Sequence, residues 1–291
     1  MRKLFVIVIC ASLFSCAAIS NAVKFGHFKH ESANKPWSIK VDNNVKRHSD
    51  DEKSASLRFE LRNGDYWWDG FKNSSRVEIS ESTSFRAAVG QENWYGFSMM
   101  IDKDSSSINI IRNRAYVTQW HPGKISAYSS PMIAHVFTGH WEYYGENFNR
   151  KWIDDLRIRI YGSYYPVKDF KKSVWLDFVY NIKWGEDGFV NIWLNGKKIV
   201  AYKGVTAQKR EKAAFKYGIY CPVGGVTEGK RIITYLDEYR RGKSYEDVDP
   251  SKGKNIRIDN GDVMIKHVNA KGNKTPQSVK DFIESIKKKE K

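Results

Sequence analysis

Apolar and polar residues alternate strictly over several short segments of this chain. In Ser56-Leu57-Arg58-Phe59-Glu60-Leu61-Arg62 the apolar side chains fall on one face and the charged ones on the other, the period of a half-buried strand. Ser75-Arg76-Val77-Glu78-Ile79-Ser80 repeats the pattern, with Arg76 and Glu78 opposed to Val77 and Ile79. The stretch from Ala214 to Cys221 does so again: Phe215, Tyr217 and Ile219 point one way, and Lys216, Gly218 and Tyr220 the other. Further strands are expected at 37–41, 94–101, 115–120, 132–137, 156–161, 174–184, 189–194, 198–202 and 232–239. Asn195-Gly196, set between two such runs, predicts a hairpin. Many short strands with Gly, Asn, Asp and Ser turns predict an all-β sandwich or jelly roll rather than alternating β-α units.

One helix is signalled. Thr275 can cap it, Pro276 suits its first turn, and Val279, Phe282, Ile283 and Ile286 form one stripe before Lys287-Lys288-Lys289. The expected organisation is a signal peptide over 1–22, a β domain over 23–250, and a basic C-terminal extension with a short helix over 251–291. The stretch from Val23 to Lys53 is polar and predicts little besides the strand at 37–41.

The leader changes the picture of the cysteines and of the compartment. Arg2 and Lys3 precede an apolar run from Leu4 to Phe14, and Ser20-Asn21-Ala22 suits cleavage after Ala22. A secreted or periplasmic protein is expected; lipid anchoring at Cys16 is the lesser alternative, because the bulky Phe14 departs from a lipoprotein box. Nothing later is long and apolar enough to predict a transmembrane segment. Cys10 and Cys16 lie in the leader, so a form cleaved after Ala22 keeps Cys221 alone and has no intramolecular disulfide. Cysteine pairs and a His-Glu-x-x-His helix are both missing, which argues against zinc chemistry.

The net charge is +16, and +14 once Arg2 and Lys3 leave with the leader. Such a field gathers polyanions. For an exported protein these are acidic polysaccharides or a membrane surface rather than nucleic acid. Ten tryptophans and sixteen tyrosines suit sugar stacking, although most such rings belong in the core of a β sandwich.

Lys216 and Tyr220 share a strand face with Gly218 between them, a bare place where a flat ligand can approach the backbone. A nearby cation favours the ionised phenol and makes Tyr220 a plausible proton-transfer group.

The order of these segments resembles the jelly-roll (concanavalin-like) polysaccharide lyases of the group containing glucuronan lyase and heparin lyase I, with alginate lyases more distant. The pieces that carry the resemblance are Ser75-Arg76-Val77-Glu78, Gln119-Trp120-His121, Ser130 to Ala134, Trp175 to Lys197 and Phe215 to Tyr220. They span roughly Arg58 to Tyr239. Ala214 and Pro222 stand where alginate lyases carry Tyr and Gln, a departure from alginate specificity. A Glu-x-Asp-x-x-Glu strand is absent, which disfavours two-carboxylate hydrolysis.

The resemblance implies β-elimination on a uronic-acid-containing anionic polysaccharide. Tyr220 would protonate the leaving oxygen, and either Tyr220 or His121 would take the C5 proton. The charge that spreads onto the substrate carboxylate needs cations or donors, and Arg76, Gln119 and Lys216 are the candidates. Glu78, Trp120, Arg157 and Arg159 are expected to support or bind the substrate, with His135 and His140 as rivals of His121. No metal ligand set and no cofactor are expected; a structural calcium ion is left open. A monomer is expected. The alternatives are a non-catalytic binding protein for acidic polysaccharide and a matrix protein holding acidic polymers by charge.

Overall fold

The computed structural model describes residues 28–33, 35–49, 55–68, 73–81, 85–108, 114–122, 132–144, 149–209, 211–222, 225–252 and the strands at 264–268 and 274–278. Its strands are β1 (Phe28–Ser32), β2 (Ile39–Asp42), β3 (Ser56–Arg62), β4 (Trp67–Trp68), β5 (Asn73–Glu81) and β6 (Ala87–Ala88). There follow β7 (Glu92–Ile101), β8 (Ala115–His121), β9 (Ile133–Tyr144), β10 (Asn149–Ile160), β11 (Ser163–Pro166) and β12 (Leu176–Lys183). The last are β13 (Gly188–Leu194), β14 (Lys197–Gly204), β15 (Lys212–Cys221), β16 (Arg231–Gly242), β17 (Met264–Val268) and β18 (Lys274–Ser278). They build two sheets, ordered β11-β10-β9-β8-β15-β5-β1-β17-β18 and β14-β13-β12-β7-β16-β3-β2. Pairing is antiparallel except between β1 and β17. The result is a β-jelly roll.

The alternations read from the sequence set the faces. Val77 and Ile79 of β5 and Phe215, Tyr217 and Ile219 of β15 are fully buried between the sheets. Across the gap, the Phe97 ring of β7 lies 5.5 Å from Phe215, and the Phe59 ring of β3 lies 5.3 Å from Tyr217. Each fully buried aromatic of this kind stabilises the fold by roughly 1.5–3 kcal/mol. The Tyr217 hydroxyl stays satisfied at that depth through Thr234 Oγ1 at 2.8 Å. Cys221, at the end of β15, is buried in the same core. The β13–β14 turn is the hairpin expected at Asn195-Gly196, with φ +48° and +81° at its two central residues, both in the left-handed range that a type I′ turn requires.

The C-terminal region differs from expectation. Lys274–Ser278 is a strand on the edge of the larger sheet, paired with β17, so Thr275 and Pro276 do not open a helix. Ladder pairing overrides the local cap signal, and an edge strand is where a sheet tolerates proline. The expected stripe from Val279 to Ile286 and the leader at 1–22 lie outside the described residues. Among the described residues the only α-helix is the four-residue turn Tyr245–Val248, capped by Ser244.

Candidate active site

β15 runs between β5 and β8, and register decides what meets on the sheet's outward face. Tyr220 pairs with Arg76, Gly218 with Glu78 and Lys216 with Ser80. On the other side Lys216 pairs with Gln119, Ala214 with His121 and Tyr220 with Tyr116. An irregularity at Val117 resets the alternation of β8. Val117 and Thr118 both turn inward, which leaves Tyr116, Gln119 and His121 outward. Gly218 has φ +128°, and a Cβ there would lie 2.1 Å from the Val77 carbonyl oxygen. The bare place on β15 is thus taken by the backbone of β5 rather than reserved for a ligand.

Arg76, Glu78, Gln119, Lys216 and Tyr220 come together as the sequence suggested. The residue that joins them was not foreseen. Glu31, on β1, pairs with Glu78, and its Oε2 accepts from Arg76 Nη1 and from Lys216 Nζ, each at 2.7 Å. The Arg76 and Lys216 side chains are 11 % exposed and that of Glu31 15 %. Arg76 Nε is also 3.7 Å from Glu78 Oε2, and Gln119 Nε2 donates to Glu78 Oε1. The guanidinium lies 4.4 Å from the ring centroid of Tyr220 and 5.3 Å from that of Trp67. The Tyr116 ring stacks beside Tyr220 at 6.0 Å.

These contacts divide the two carboxyls. Burial alone would raise the Glu31 carboxyl, but the charges of Lys216 and Arg76 outweigh it and bring its pKa down to about 2. Burial of Glu78 prevails over the same two cations, helped by repulsion from Glu31, and pushes its pKa up. One carboxyl is firmly ionised, while the pKa of its cross-strand neighbour is shifted the other way, by burial first and by the like charge second.

Other expected residues lie elsewhere. Trp120 is a correction: it is fully buried, 4.7 Å from the Tyr180 ring and 5.0 Å from that of Phe215, and cannot touch substrate. Between two outward residues, an inward side chain is what strand period demands. His121 is half-buried on the outward face, with Lys216 and Gln119 between it and Tyr220 along the ladder. Its rival His135 is a core residue: Thr118 Oγ1 and Tyr180 Oη hold its two ring nitrogens, and burial lowers its pKa to about 3. His140 stands farther along β9, opposite Ile153. Arg157 and Arg159 share the outward face of β10, three strands from β15 and hence roughly 14 Å away across the sheet. Arg157 is paired with Asp155 at 2.6 Å, while Arg159 bears on Tyr116. Among the described residues no group of three or more His, Cys, Asp or Glu is placed to hold a metal ion. No helix among them is long and apolar enough to cross a membrane.

Residues 20–240 match the sequence profile of a family described as polysaccharide lyase. The chain belongs to the polysaccharide lyase family. No curated protein matches the sequence. Among solved structures this lyase is similar to the endo-β-1,4-glucuronan lyase of the fungus Trichoderma reesei, at 17 % identity and TM-score 0.49, over 81 % of this chain and 95 % of that one. It is similar to a β-glucanase catalytic domain from Podospora anserina, at 16 % identity and TM-score 0.50, over 75 % and 84 % of the two chains. It is also similar to the alginate lyase AlyA1 from Zobellia galactanivorans, at 11 % identity and TM-score 0.47, over 75 % and 96 %. At these identities the likeness is one of fold. The lyase acts on a polysaccharide.

Proposed function

We propose that the lyase is exported and cleaves a uronic-acid-containing anionic polysaccharide by β-elimination, with Tyr220 as the proton-transfer group. The observation that carries this reading is the Arg76 guanidinium 4.4 Å over the Tyr220 ring, with Lys216 on the same strand face. In the reaction a base takes the C5 proton of the uronate, the C4–oxygen bond breaks, and the leaving oxygen receives a proton. A C4–C5 double bond remains. Tyr220 supplies the proton to the leaving oxygen, and Tyr220 or His121 takes the one from C5.

The cations that would meet the substrate carboxylate are already engaged. Arg76 and Lys216 already share a carboxylate within the protein. What they offer the substrate is a net positive field: two cations, one ionised Glu31, and a Glu78 whose proton is retained more readily than usual. A preorganised field of this sort stabilises the charge that develops on the substrate carboxylate without reorganising in the reaction. Lys216 sits opposite Gln119 at the centre of this wall, and Arg159 lies far enough off to serve a neighbouring sugar. The protein acts as a monomer and needs no cofactor in this scheme.

The test is incubation with glucuronan, heparin-type chains, alginate and pectate, following the ultraviolet absorbance of the unsaturated product. Tyr220→Phe should lower turnover by about a hundredfold or more while leaving binding nearly intact. A variant that keeps most of its turnover removes Tyr220 from the chemistry. His121→Asn separates the two bases: retained turnover assigns both proton transfers to Tyr220.

A further inference from the structure

Glu31 lies where an enzyme for anionic substrates has least obvious use for a carboxylate. It faces the same side of the sheet as Tyr220 and lies on the far side of β5 from it. It stands directly opposite a second carboxyl, Glu78, an arrangement that costs stability when both are ionised. One oxygen, Oε2, nonetheless receives both cations of the site at 2.7 Å. Arg76 is in turn the group stacked on Tyr220. Remove Glu31, and Arg76 and Lys216 lose the contact that ties them together, while the charge beside the phenol rises by one.

We infer that Glu31 is a positioning residue for the lyase reaction: its carboxylate holds Arg76 against Tyr220, holds Lys216 alongside, and sets the net positive charge at the phenol. This rests on Tyr220 as the proton-transfer group. The low pKa of Glu31 agrees with the assignment, because the carboxylate stays charged across any working pH. The titratable and charged groups around Tyr220 come from every neighbouring strand. β5 supplies Arg76 and Glu78, β1 supplies Glu31, and β15 itself supplies Lys216. β8 supplies Tyr116, with His121 farther along opposite Ala214, and Arg114 and Arg159 act on Tyr116. Glu31 is hydrogen-bonded to both Arg76 and Lys216.

The charge and the geometry are separable. Glu31→Gln keeps the length and removes the charge, so the phenol gives up its proton at lower pH. The limb of the pH–rate profile that reports Tyr220 then moves by about one pH unit to the acid side. The direction is the same whether Tyr220 acts as acid or base. Glu31→Asp keeps the charge and withdraws it by one methylene, so one oxygen no longer reaches both cations. Its kcat should fall about tenfold with the limb in place.

The experiment is kcat and KM across pH for the parent, Glu31→Gln and Glu31→Asp, with Tyr220→Phe as control. If Tyr220→Phe turns over normally, the functional reading falls first. If Tyr220→Phe is inactive while the Glu31→Gln limb stays or moves to higher pH, only the Glu31 inference is overturned. A Glu31→Asp enzyme with the parent kcat also overturns it, and this arm decides alone if Glu31→Gln does not fold. A merely structural glutamate would lower the amount of folded enzyme and leave the limb where it was.

Discussion

Tyr220 and Arg76 face each other across the β15–β5 ladder, with the guanidinium carbon 4.4 Å from the centre of the phenol ring. The same guanidinium donates to Glu31 at 2.7 Å. A planar cation can stack and donate in its own plane at once; an ammonium cannot. Arg76→Lys preserves the charge and one contact to Glu31 but loses the stack. Turnover should fall at least about tenfold with a smaller change in stability, since a stacked pair of this kind is worth about 1–2 kcal/mol. Full-rate Arg76→Lys, measured by steady-state kinetics, would show that charge alone suffices.

Gly218→Ala should be among the most damaging single-methyl additions in the protein. Its backbone angle is one that L side chains rarely adopt, and the new Cβ meets the Val77 carbonyl oxygen and Glu78 Cα. Strain and overpacking together predict a loss of about 3 kcal/mol or more. Chemical denaturation checks this, and a midpoint equal to the parent's would mean that β5 and β15 can separate without cost.

His135 gives the fold an acid limb of its own. Its imidazole stays neutral in the folded protein down to about pH 3, whereas an unfolded histidine takes up its proton near 6.5. Between those values the unfolded chain binds more protons, so stability falls as pH drops. Glu31 adds to the loss only below 4.5, as pH approaches about 2. Glu238, raised to about 8 by burial and by Asp237, acts in the opposite sense between 4.5 and 8 and cancels when two variants are compared. His135→Gln should therefore lose less stability than the parent between pH 7 and 4.5, by on the order of 2 kcal/mol. Parallel denaturation curves at the two pH values decide it; equal losses would place the proton uptake elsewhere.

The basic surface should act in capture rather than in the chemical step. Salt shortens the reach of exposed charge from about 10 Å at 0.1 M to about 3 Å at 1 M. On a long substrate the apparent KM should rise steeply with salt, mainly through slower association, while the saturated rate changes less. A KM that stays flat would leave the net charge, +14 without Arg2 and Lys3, to solubility or to another partner.

The face of each strand was legible where alternation is strict. Val77 and Ile79 turn inward and Arg76 and Glu78 outward, as period two requires, and Asn195-Gly196 makes its turn. Strand order was not legible, because pairing is a property of distant segments. That is why Glu31 escaped: Phe28-Lys29-His30-Glu31-Ser32 has no apolar alternation, and only its place beside β5 brings its carboxylate to Arg76 and Lys216. Trp120 could have been placed from its neighbours, since Gln119 and His121 cannot both face outward with it. The irregularity at Val117 could not, for nothing in Ala115-Tyr116-Val117-Thr118 announces an extra residue. At Thr275-Pro276 the cap signal was local and the sheet edge prevailed.

Cys221 follows Tyr220 directly, and its sulfur is buried in the core with its ionisation suppressed by burial and by the nearby Glu78. In a chain beginning at Val23 it is the sole thiol. Alkylating reagents attack the thiolate, so the folded protein resists them, and modification can proceed only when the end of β15 lifts away from the core. The rate of labelling thus clocks the opening of the strand that carries Tyr220, a natural reporter one residue from the phenol proposed for proton transfer.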